Sequence, residues 1–320
     1  MTVDPDRWLL VGAALALAAS LWNPGVRIEQ PLFEHVVVLD VTQSMNVPDH
    51  EIAGRPASRL AAVKAALRRS LLALPCGSKV GWGVFTEYRS FLLLAPVEVC
   101  GNLGELESTL DRIDGRMAWS GNSEVAKGLH SAIGIVKQLP GKPSLVFVTD
   151  GHEAPPVDPR RRPPFDDKPG DVQGLIVGAG GLLPALIPKT DPFGRPLGVW
   201  AAGDVLQTDP RIRAGELGNP ASGSTGAAPG SEHLSSLREG YLRLLAREGG
   251  LGYHRLADGD ADDPGDALAN ALKAHDLARP VQAHADLRPV FAALALILLL
   301  ARPARRWRQA LGQKQGVSLA

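Results

Sequence analysis

Short apolar runs alternate with amphipathic segments along the middle of the chain. Residues 32–40 form a largely apolar run, which is typical of a strand buried in a parallel sheet. Residues 56–74 place leucines and a valine at helical spacing on one face and therefore predict an amphipathic helix. Further strands are predicted at 144–150, 172–177 and 252–256, a hairpin at 79–97, and further helices at 103–113, 123–139 and 241–248. This rhythm predicts an α/β fold with a doubly wound, mostly parallel sheet and helices on both faces.

Two apolar segments flank this α/β region. Residues 8–22 carry no charge, and residues 290–301 are followed at once by an arginine cluster. Both are shorter than the roughly 20 residues that cross a bilayer comfortably, but flanking arginines and tryptophans lengthen them. The alternatives are a cleaved signal peptide at the front and a buried core helix at the back. Asp4 and Asp6 disfavour a signal peptide, and 290–301 is apolar all round, so the pattern predicts two transmembrane helices.

These patterns divide the chain into five parts. They are an N-terminal membrane anchor at 1–29, an α/β domain at 30–258, a juxtamembrane helix or linker at 259–286, a transmembrane helix at 287–302 and a basic cytoplasmic tail at 303–320. The domain contains a long Gly/Pro-rich insertion at 178–232, with a hairpin predicted around 191–194 and a flexible stretch at 219–230. Residues 151–170 are rich in proline and carry three consecutive arginines, which predicts an exposed loop.

Charge and cysteine positions bear on location. Lys+Arg and Asp+Glu both number 34, so the net charge gives no case for a nucleic-acid partner. Basic residues after a span stay cytoplasmic, which places the α/β domain in the periplasm of a bacterium, with its spans in the inner membrane. Cys76 and Cys100 lie equally far from Tyr88, at the middle of the predicted hairpin, so they fall on adjacent strand ends where a disulfide is feasible. Two unrelated thiols are the alternative.

Oxygen-bearing side chains accompany three separated elements of the predicted fold. One group follows the strand at 32–40, another ends the strand at 144–150, and a serine opens the helix at 123–139. Open α/β sheets bind ligands at the edge formed by the carboxyl ends of their strands, so these side chains are expected to meet. Carboxylates and hydroxyls suit a hard divalent cation, Mg²⁺ first and Mn²⁺ or Ca²⁺ as alternatives. The candidate metal ligands are Asp40, Thr42, Ser44, Ser123 and Asp150.

The order of these residues resembles the von Willebrand factor A (VWA) family. The run Asp40-Val41-Thr42-Gln43-Ser44 resembles the DxSxS signature of its metal-ion-dependent adhesion site, and Thr149-Asp150-Gly151 resembles the motif of its last Asp. Residues 121–129 resemble the Gly-x-Thr-x-x-x-x-Gly-Leu segment of the family, which selects Ser123, with Ser120 as second choice. Relative to the family, Thr42 stands for a Ser and Ser123 for a Thr, so both hydroxyls are present but exchanged.

A narrower resemblance is to the Bat-type and MxaL-type bacterial membrane VWA proteins. The helix-leading run 59–64, the segment 185–197 and the terminal apolar segment carry it. It implies a binding protein rather than an enzyme, whose metal grips a Glu or Asp carboxylate of a protein client. It also implies association with other VWA proteins and a MoxR-type AAA+ ATPase, and assembly or maturation of a periplasmic enzyme such as methanol dehydrogenase.

Two other functions compete with metal-dependent binding. The first is a scaffold that organises a membrane complex through its spans, and the second is a hydrolase. The 8 histidines show no zinc-like spacing. His152 follows Asp150 closely, but no Gly-x-Ser-x-Gly elbow exposes a nucleophile. Five metal-type positions coincide, whereas no catalytic set does, so the sequence favours metal-dependent binding.

Overall fold

The computed structural model describes residues 5–22, 25–156, 168–205, 232–256, 268, 270–271 and 278–316. The chain divides into two compact units, one formed by Met1–Pro31 with Pro280–Ala320 and the other by Leu32–Arg279. The described helices are α1 (Pro5–Leu21), α2 (Arg59–Ala73), α3 (Leu103–Arg112), α4 (Val125–Gln138), α5 (Glu239–Gly249) and α6 (Arg288–Gly316). The described strands are β1 (Gly25–Asp40), β2 (His50–Ile52), β3 (Arg55–Ala57), β4 (Lys79–Thr86), β5 (Arg89–Glu98), β6 (Ser144–Thr149), β7 (Gly174–Ala179), β8 (Ala185–Leu186), β9 (Pro188–Thr190), β10 (Pro196–Val199), β11 (Leu234–Ser235), β12 (Gly252–Leu256) and β13 (Ala278–Asp286).

The larger unit is built on a mostly parallel sheet. Its strands follow the order β12-β7-β6-β1-β4-β5. β1 pairs in parallel with both β4 and β6, and β7 pairs in parallel with both β6 and β12. Only the hairpin partner β5 runs antiparallel to its neighbour β4 on this path. The predicted α/β sheet is therefore confirmed, and the carboxyl ends of β1 and β6 lie side by side.

Both faces of the sheet are covered by helices, as the apolar runs require. Val37 and Leu39 point to one core, which they share with buried residues of α2 and α3. Val36 and Val38 point to the opposite core, which contains buried residues of α4 and α5. Side chains of a strand alternate between faces, so an apolar residue at each of these four positions fixes β1 between two helical layers.

Several element ends differ from the sequence prediction by a few residues. α2 begins later than expected because the side chain of Ser58 accepts a hydrogen bond from the backbone N–H of Ala61 and caps the helix there. β1 is longer than predicted and begins at Gly25. The predicted hairpin in the insertion is confirmed, since β9 and β10 pair antiparallel across the turn that closes at Gly194. The stretch predicted to be flexible, 219–230, lies outside the described residues.

Cys76 and Cys100 form a disulfide at the end of the β4–β5 hairpin, with their Cα atoms 5.3 Å apart. The nearby carboxylate of Glu98 accepts hydrogen bonds from the backbone N–H groups of Gly77, Cys100 and Gly101, and these bonds lower its pKa. Both sulfurs are used by the disulfide, so this grouping of Cys and Glu side chains is not a metal centre. The proximity of the two cysteines follows the hairpin prediction.

The smaller unit contains α1 and α6, which pack against each other. Among the helices in the described part of the chain, none is long and apolar enough to cross a membrane. α1 has 17 residues and is roughly 26 Å long, which is shorter than the roughly 30 Å hydrocarbon core of a bilayer. α6 is a 29-residue helix that runs on through Pro303 and the arginine cluster, so its apolar part is shorter still. The two predicted transmembrane helices are therefore wrong.

The correction removes two further expectations. The boundary predicted between a span at 287–302 and a tail at 303–320 falls inside the single helix α6. The orientation across a membrane was derived from the two spans and loses its basis with them.

Candidate functional site

The predicted ligands come together where β1 and β6 end. Asp40 is the last residue of β1, and Asp150 directly follows β6, its parallel neighbour. Ser44 lies in a 3₁₀ turn, Gln43–Asn46, immediately after β1. The side chains of Asp40, Thr42, Ser44 and Asp150 are all buried. Two carboxylates and two hydroxyls therefore lie buried close together at the sheet edge.

Asp40 is held by hydroxyl and backbone donors. Its Oδ1 accepts hydrogen bonds from the backbone N of Thr42 at 2.9 Å and from Thr42 Oγ1 at 2.7 Å. Its Oδ2 accepts a hydrogen bond from Thr149 Oγ1 at 2.6 Å. Burial and the charge of Asp150 nevertheless raise the pKa of Asp40 to about 7. A cation placed here would relieve both the lost hydration and the repulsion between the carboxylates.

Asp150 has a different environment because the buried guanidinium of Arg59 reaches its carboxylate. Its Oδ1 accepts a hydrogen bond from the backbone N of His152 at 2.9 Å. Its Oδ2 accepts hydrogen bonds from Arg59 Nη1 at 2.5 Å and from Ser235 Oγ at 2.9 Å. The hydroxyl of Ser44 also hydrogen-bonds this carboxylate. Burial opposes ionisation, but the charge of Arg59, together with His152 and the hydrogen bonds that the carboxylate accepts, outweighs burial, and the pKa of Asp150 is lowered.

Ser123 brings a third hydroxyl to the site. Its backbone N donates to the carbonyl of Ala154 at 2.6 Å, and its own carbonyl accepts from Ala154 N at 2.7 Å. Its Oγ is buried and has no hydrogen-bond partner among the described residues. Such an orphaned hydroxyl is costly unless something binds it.

The helix that was predicted to open at Ser123 begins two residues later, and the Ser123 side chain does not cap it. α4 begins at Val125, and the carboxylate of Glu153 accepts its first backbone N–H groups, at 3.0 Å from Val125 and 3.1 Å from Ala126. Tyr241 also donates a hydrogen bond to Glu153, at 2.5 Å. The cap comes from a residue distant in sequence, which leaves the Ser123 hydroxyl free to face the site.

A cavity of about 190 Å³ opens above these hydroxyls. The residues that line it include Thr42, Ser44, Ser123, His152, Ile187, Trp200 and Glu232. Neither Asp40 nor Asp150 belongs to its lining, so the hydroxyl oxygens are the atoms that a bound ion meets first. Ser120, the second choice for the middle hydroxyl, does not line the cavity.

The long insertion supplies one wall of this cavity. Ile187 and Trp200 both lie in the insertion, and Trp200 Nε1 donates a hydrogen bond to Gln43 Oε1 at 2.6 Å. Lys189 packs over the Trp200 ring, 4.4 Å from its centroid. The insertion is thus attached to the turn that carries Ser44.

The donor set fits a hard divalent cation. Three hydroxyls and two carboxylates are the oxygen ligands that Mg²⁺, Mn²⁺ and Ca²⁺ prefer. The orphaned Ser123 Oγ and the raised pKa of Asp40 are both what a missing cation would leave behind. Because the carboxylate oxygens already accept several hydrogen bonds, the hydroxyls are the better placed direct ligands.

Sequence reasoning missed Arg59 and Thr149 as parts of the site. Arg59 was read only as the start of a helix, yet its side chain is fully buried at 0% exposure. The glycine run that follows β7 offered a signal, because a Cβ at Gly180 would lie 2.8 Å from Arg59 Nε. Gly180 in that run leaves room for the guanidinium of Arg59.

Comparison with known proteins agrees with this architecture. The family model described as von Willebrand factor type A domain matches residues 35–152, a range that contains all the candidate ligands. No curated protein sequence matches the chain significantly.

The solved structures that are similar to this chain include two from Bacteroides. One is the conserved hypothetical protein BatB from Bacteroides thetaiotaomicron, with 17% identity, a TM-score of 0.47 and coverage of 76% of this chain and 98% of that one. The other is an aerotolerance-related membrane protein from Bacteroides fragilis, with 17% identity, a TM-score of 0.45 and the same coverage, 76% and 98%. The manganese-loaded TRAP protein of Plasmodium vivax is 11% identical, with a TM-score of 0.35 and coverage of 82% of each chain. These likenesses assign no function by themselves.

Proposed function

We propose that this chain is a von Willebrand factor type A protein, whose family model matches residues 35–152, and that this domain binds a divalent cation and, through it, a carboxylate of a protein partner. The observation that carries the proposal is the orphaned, buried Oγ of Ser123 beside the Thr42–Ser44 hydroxyl pair, whose oxygens lie 3.3 Å apart. The carboxylates of Asp40 and Asp150 lie buried next to these hydroxyls.

In this proposal the hydroxyls of Thr42, Ser44 and Ser123 hold the cation directly. Asp40 and Asp150 hold it directly or through water and supply the negative charge. Mg²⁺ is the first candidate, with Mn²⁺ or Ca²⁺ as alternatives. When bound, the cation supplies a positive charge and a coordination position that an acidic side chain of the partner can fill. The walls of the cavity exclude water and orient that side chain.

The partner of this site is proposed to be a protein client with an accessible Glu or Asp. Trp200 and Ile187, which line the cavity from the insertion, would select its neighbouring residues. The resemblance to Bat-type and MxaL-type proteins motivates a role in assembling or maturing an enzyme together with other VWA proteins and a MoxR-type ATPase. The Cys76–Cys100 disulfide supports an oxidising compartment such as the periplasm.

The competing functions make different use of the same residues. A hydrolase would need a nucleophile held by His152, but the Nδ1 of His152 has no hydrogen-bond partner among the described residues. A scaffold that works without metal would not explain why the Ser123 hydroxyl is buried without a hydrogen-bond partner among the described residues. A VWA domain favours a binding role over turnover.

The proposal is tested by replacing, one at a time, the two serines that are candidates for the middle hydroxyl ligand. Ser123→Ala removes an atom without a partner, so the metal-free protein should keep its stability, whereas Mn²⁺ or Mg²⁺ affinity should fall at least about tenfold. Ser120→Ala is the matched control and should leave metal affinity unchanged. Titration calorimetry of the full-length protein measures both. Equal affinities in all three proteins, or no binding in the wild type, would contradict the proposal.

A further inference from the structure

We propose that Arg59 sets the charge of the metal site. By neutralising Asp150 it leaves a bound divalent cation with surplus positive charge, and this surplus is what attracts the acidic side chain of a partner. The proposal rests on the proposed function and assigns Arg59 and its second partner, Asp49, as determinants of what the site binds.

The guanidinium of Arg59 divides its donors between two carboxylates. Nη1 donates to Asp150 Oδ2 at 2.5 Å and to Ser235 Oγ at 2.6 Å. Nε donates to Asp49 Oδ1 at 3.0 Å, and Nη2 donates to Asp49 Oδ2 at 2.6 Å. Nη2 also reaches the backbone carbonyl of Ser235 at 3.1 Å. One end of the planar group thus faces the candidate metal site, and the other faces away from it.

The guanidinium is locked in this position by its surroundings. Arg59 and Asp150 have side-chain exposures of 0%, while Asp49 retains 16%. Gly180 leaves space against the guanidinium, and the backbone N of Gly181 donates to Asp49 Oδ2 at 2.9 Å. A charge fixed in a dry environment acts on its neighbours far more strongly than a solvated one.

The charges near the site set the net charge of the metal-loaded site and therefore its attraction for an anionic ligand. Two ionised carboxylates at Asp40 and Asp150 would cancel the charge of a divalent ion and leave no attraction for an anion. Arg59 offsets one of them, so the loaded site stays positive. Asp49 partly compensates Arg59 from the more exposed side. Removing Arg59 and removing the charge of Asp49 must therefore act in opposite directions.

A purely structural role for Arg59 makes a different prediction. The guanidinium joins the loop after β1, helix α2, the end of β6 and strand β11. If it only tied these segments together, Arg59→Gln and Asp49→Asn would both loosen the site, and both would weaken metal binding.

The experiment uses the full-length protein and Mn²⁺ as probe. Titration calorimetry gives the Mn²⁺ affinity of the wild type, Arg59→Gln and Asp49→Asn. Line broadening of acetate resonances by site-bound Mn²⁺ gives the affinity of the loaded site for a carboxylate. Arg68→Gln, on the exposed face of the same helix, is the matched control and should match the wild type in both measurements.

Opposite shifts are the expected result. Arg59→Gln should tighten Mn²⁺ binding and weaken acetate binding, each by about tenfold, and Asp49→Asn should do the reverse by a smaller factor because Asp49 is partly screened. Shifts in the same direction, or none, overturn the proposal while the wild type still binds Mn²⁺. No Mn²⁺ binding by the wild type overturns the proposed function and this inference with it. If Arg59→Gln does not fold, Asp49→Asn decides through acetate: tighter acetate binding by its Mn²⁺-loaded site supports the proposal, and weaker or unchanged acetate binding overturns it.

Discussion

Thr149 links the stability of the sheet edge to the geometry of the metal site. Its Oγ1 donates to Asp40 Oδ2 at 2.6 Å and accepts from the backbone N of Gly151 at 3.0 Å. All of these groups are buried. Thr149→Val keeps the shape of the side chain but removes the hydroxyl, which leaves one donor and one carboxylate oxygen without their partner.

The size of the effect follows from these two bonds. A hydrogen bond to a charged group contributes about 1.5–3 kcal/mol and a neutral one about 0.5–1.5 kcal/mol, so Thr149→Val should lower the free energy of unfolding by about 2–4.5 kcal/mol. Thr149→Ser keeps the hydroxyl and loses one buried methyl group, which costs about 1 kcal/mol. The valine variant should therefore be the less stable of the two, although it is the closer match in volume.

Urea denaturation in EDTA, followed by tryptophan fluorescence, measures this difference. Trp82 is fully buried between the sheet and α3 and reports on loss of the core. Metal affinity is measured on the same proteins and should fall for Thr149→Val, because Asp40 loses the donor that orients its Oδ2. A valine variant as stable as the serine variant would refute the reasoning.

Three further changes test other parts of the structure. Gly128→Ala should destabilise the domain by about 1–3 kcal/mol, because its Cβ would lie 2.1 Å from the Phe85 ring, and adding Phe85→Leu should recover part of the loss in thermal melting. Replacing Cys76 and Cys100 by serine opens a loop of sequence separation 24 and should cost about 3 kcal/mol without changing metal affinity. Glu153→Ala should lower the free energy of unfolding by about 1–2 kcal/mol and weaken metal binding, because α4 loses the cap next to Ser123. Glu124→Ala is the control and should leave the metal affinity measured by calorimetry unchanged.

The sheet and the grouping of the candidate ligands at its edge were predictable from local patterns. The apolar run before Asp40 and the run before Asp150 have the length and composition of buried parallel strands, and such strands bring their carboxyl ends together. The sequence alone therefore predicts that the hydroxyls and carboxylates at those strand ends lie together. Equal spacing about a hairpin turn made the disulfide feasible and left two unrelated thiols as the alternative, and the structure shows the bridge.

Other features depend on contacts that no local pattern contains. The burial of Arg59 requires Asp49, Asp150 and Ser235, which lie far apart in sequence. The cap of α4 comes from Glu153 rather than from the serine beside it. The two apolar segments at 8–22 and 290–301 predicted transmembrane helices because of their composition, although both are short. Neither of the helices described there is both long enough and apolar enough to cross a membrane.

The central claim is that one divalent cation binds at Asp40, Thr42, Ser44, Ser123 and Asp150. Thermal melting of the full-length protein in EDTA and in rising Mg²⁺ or Mn²⁺ tests it most directly, with calorimetry to count the ions. At free metal near 100 times Kd, binding should add about 2.7 kcal/mol and raise the Tm by several degrees. Calorimetry should give one ion per chain, and the effect should vanish in Asp40→Ala. An unchanged Tm at millimolar metal, or an equal rise in Asp40→Ala, would contradict the account.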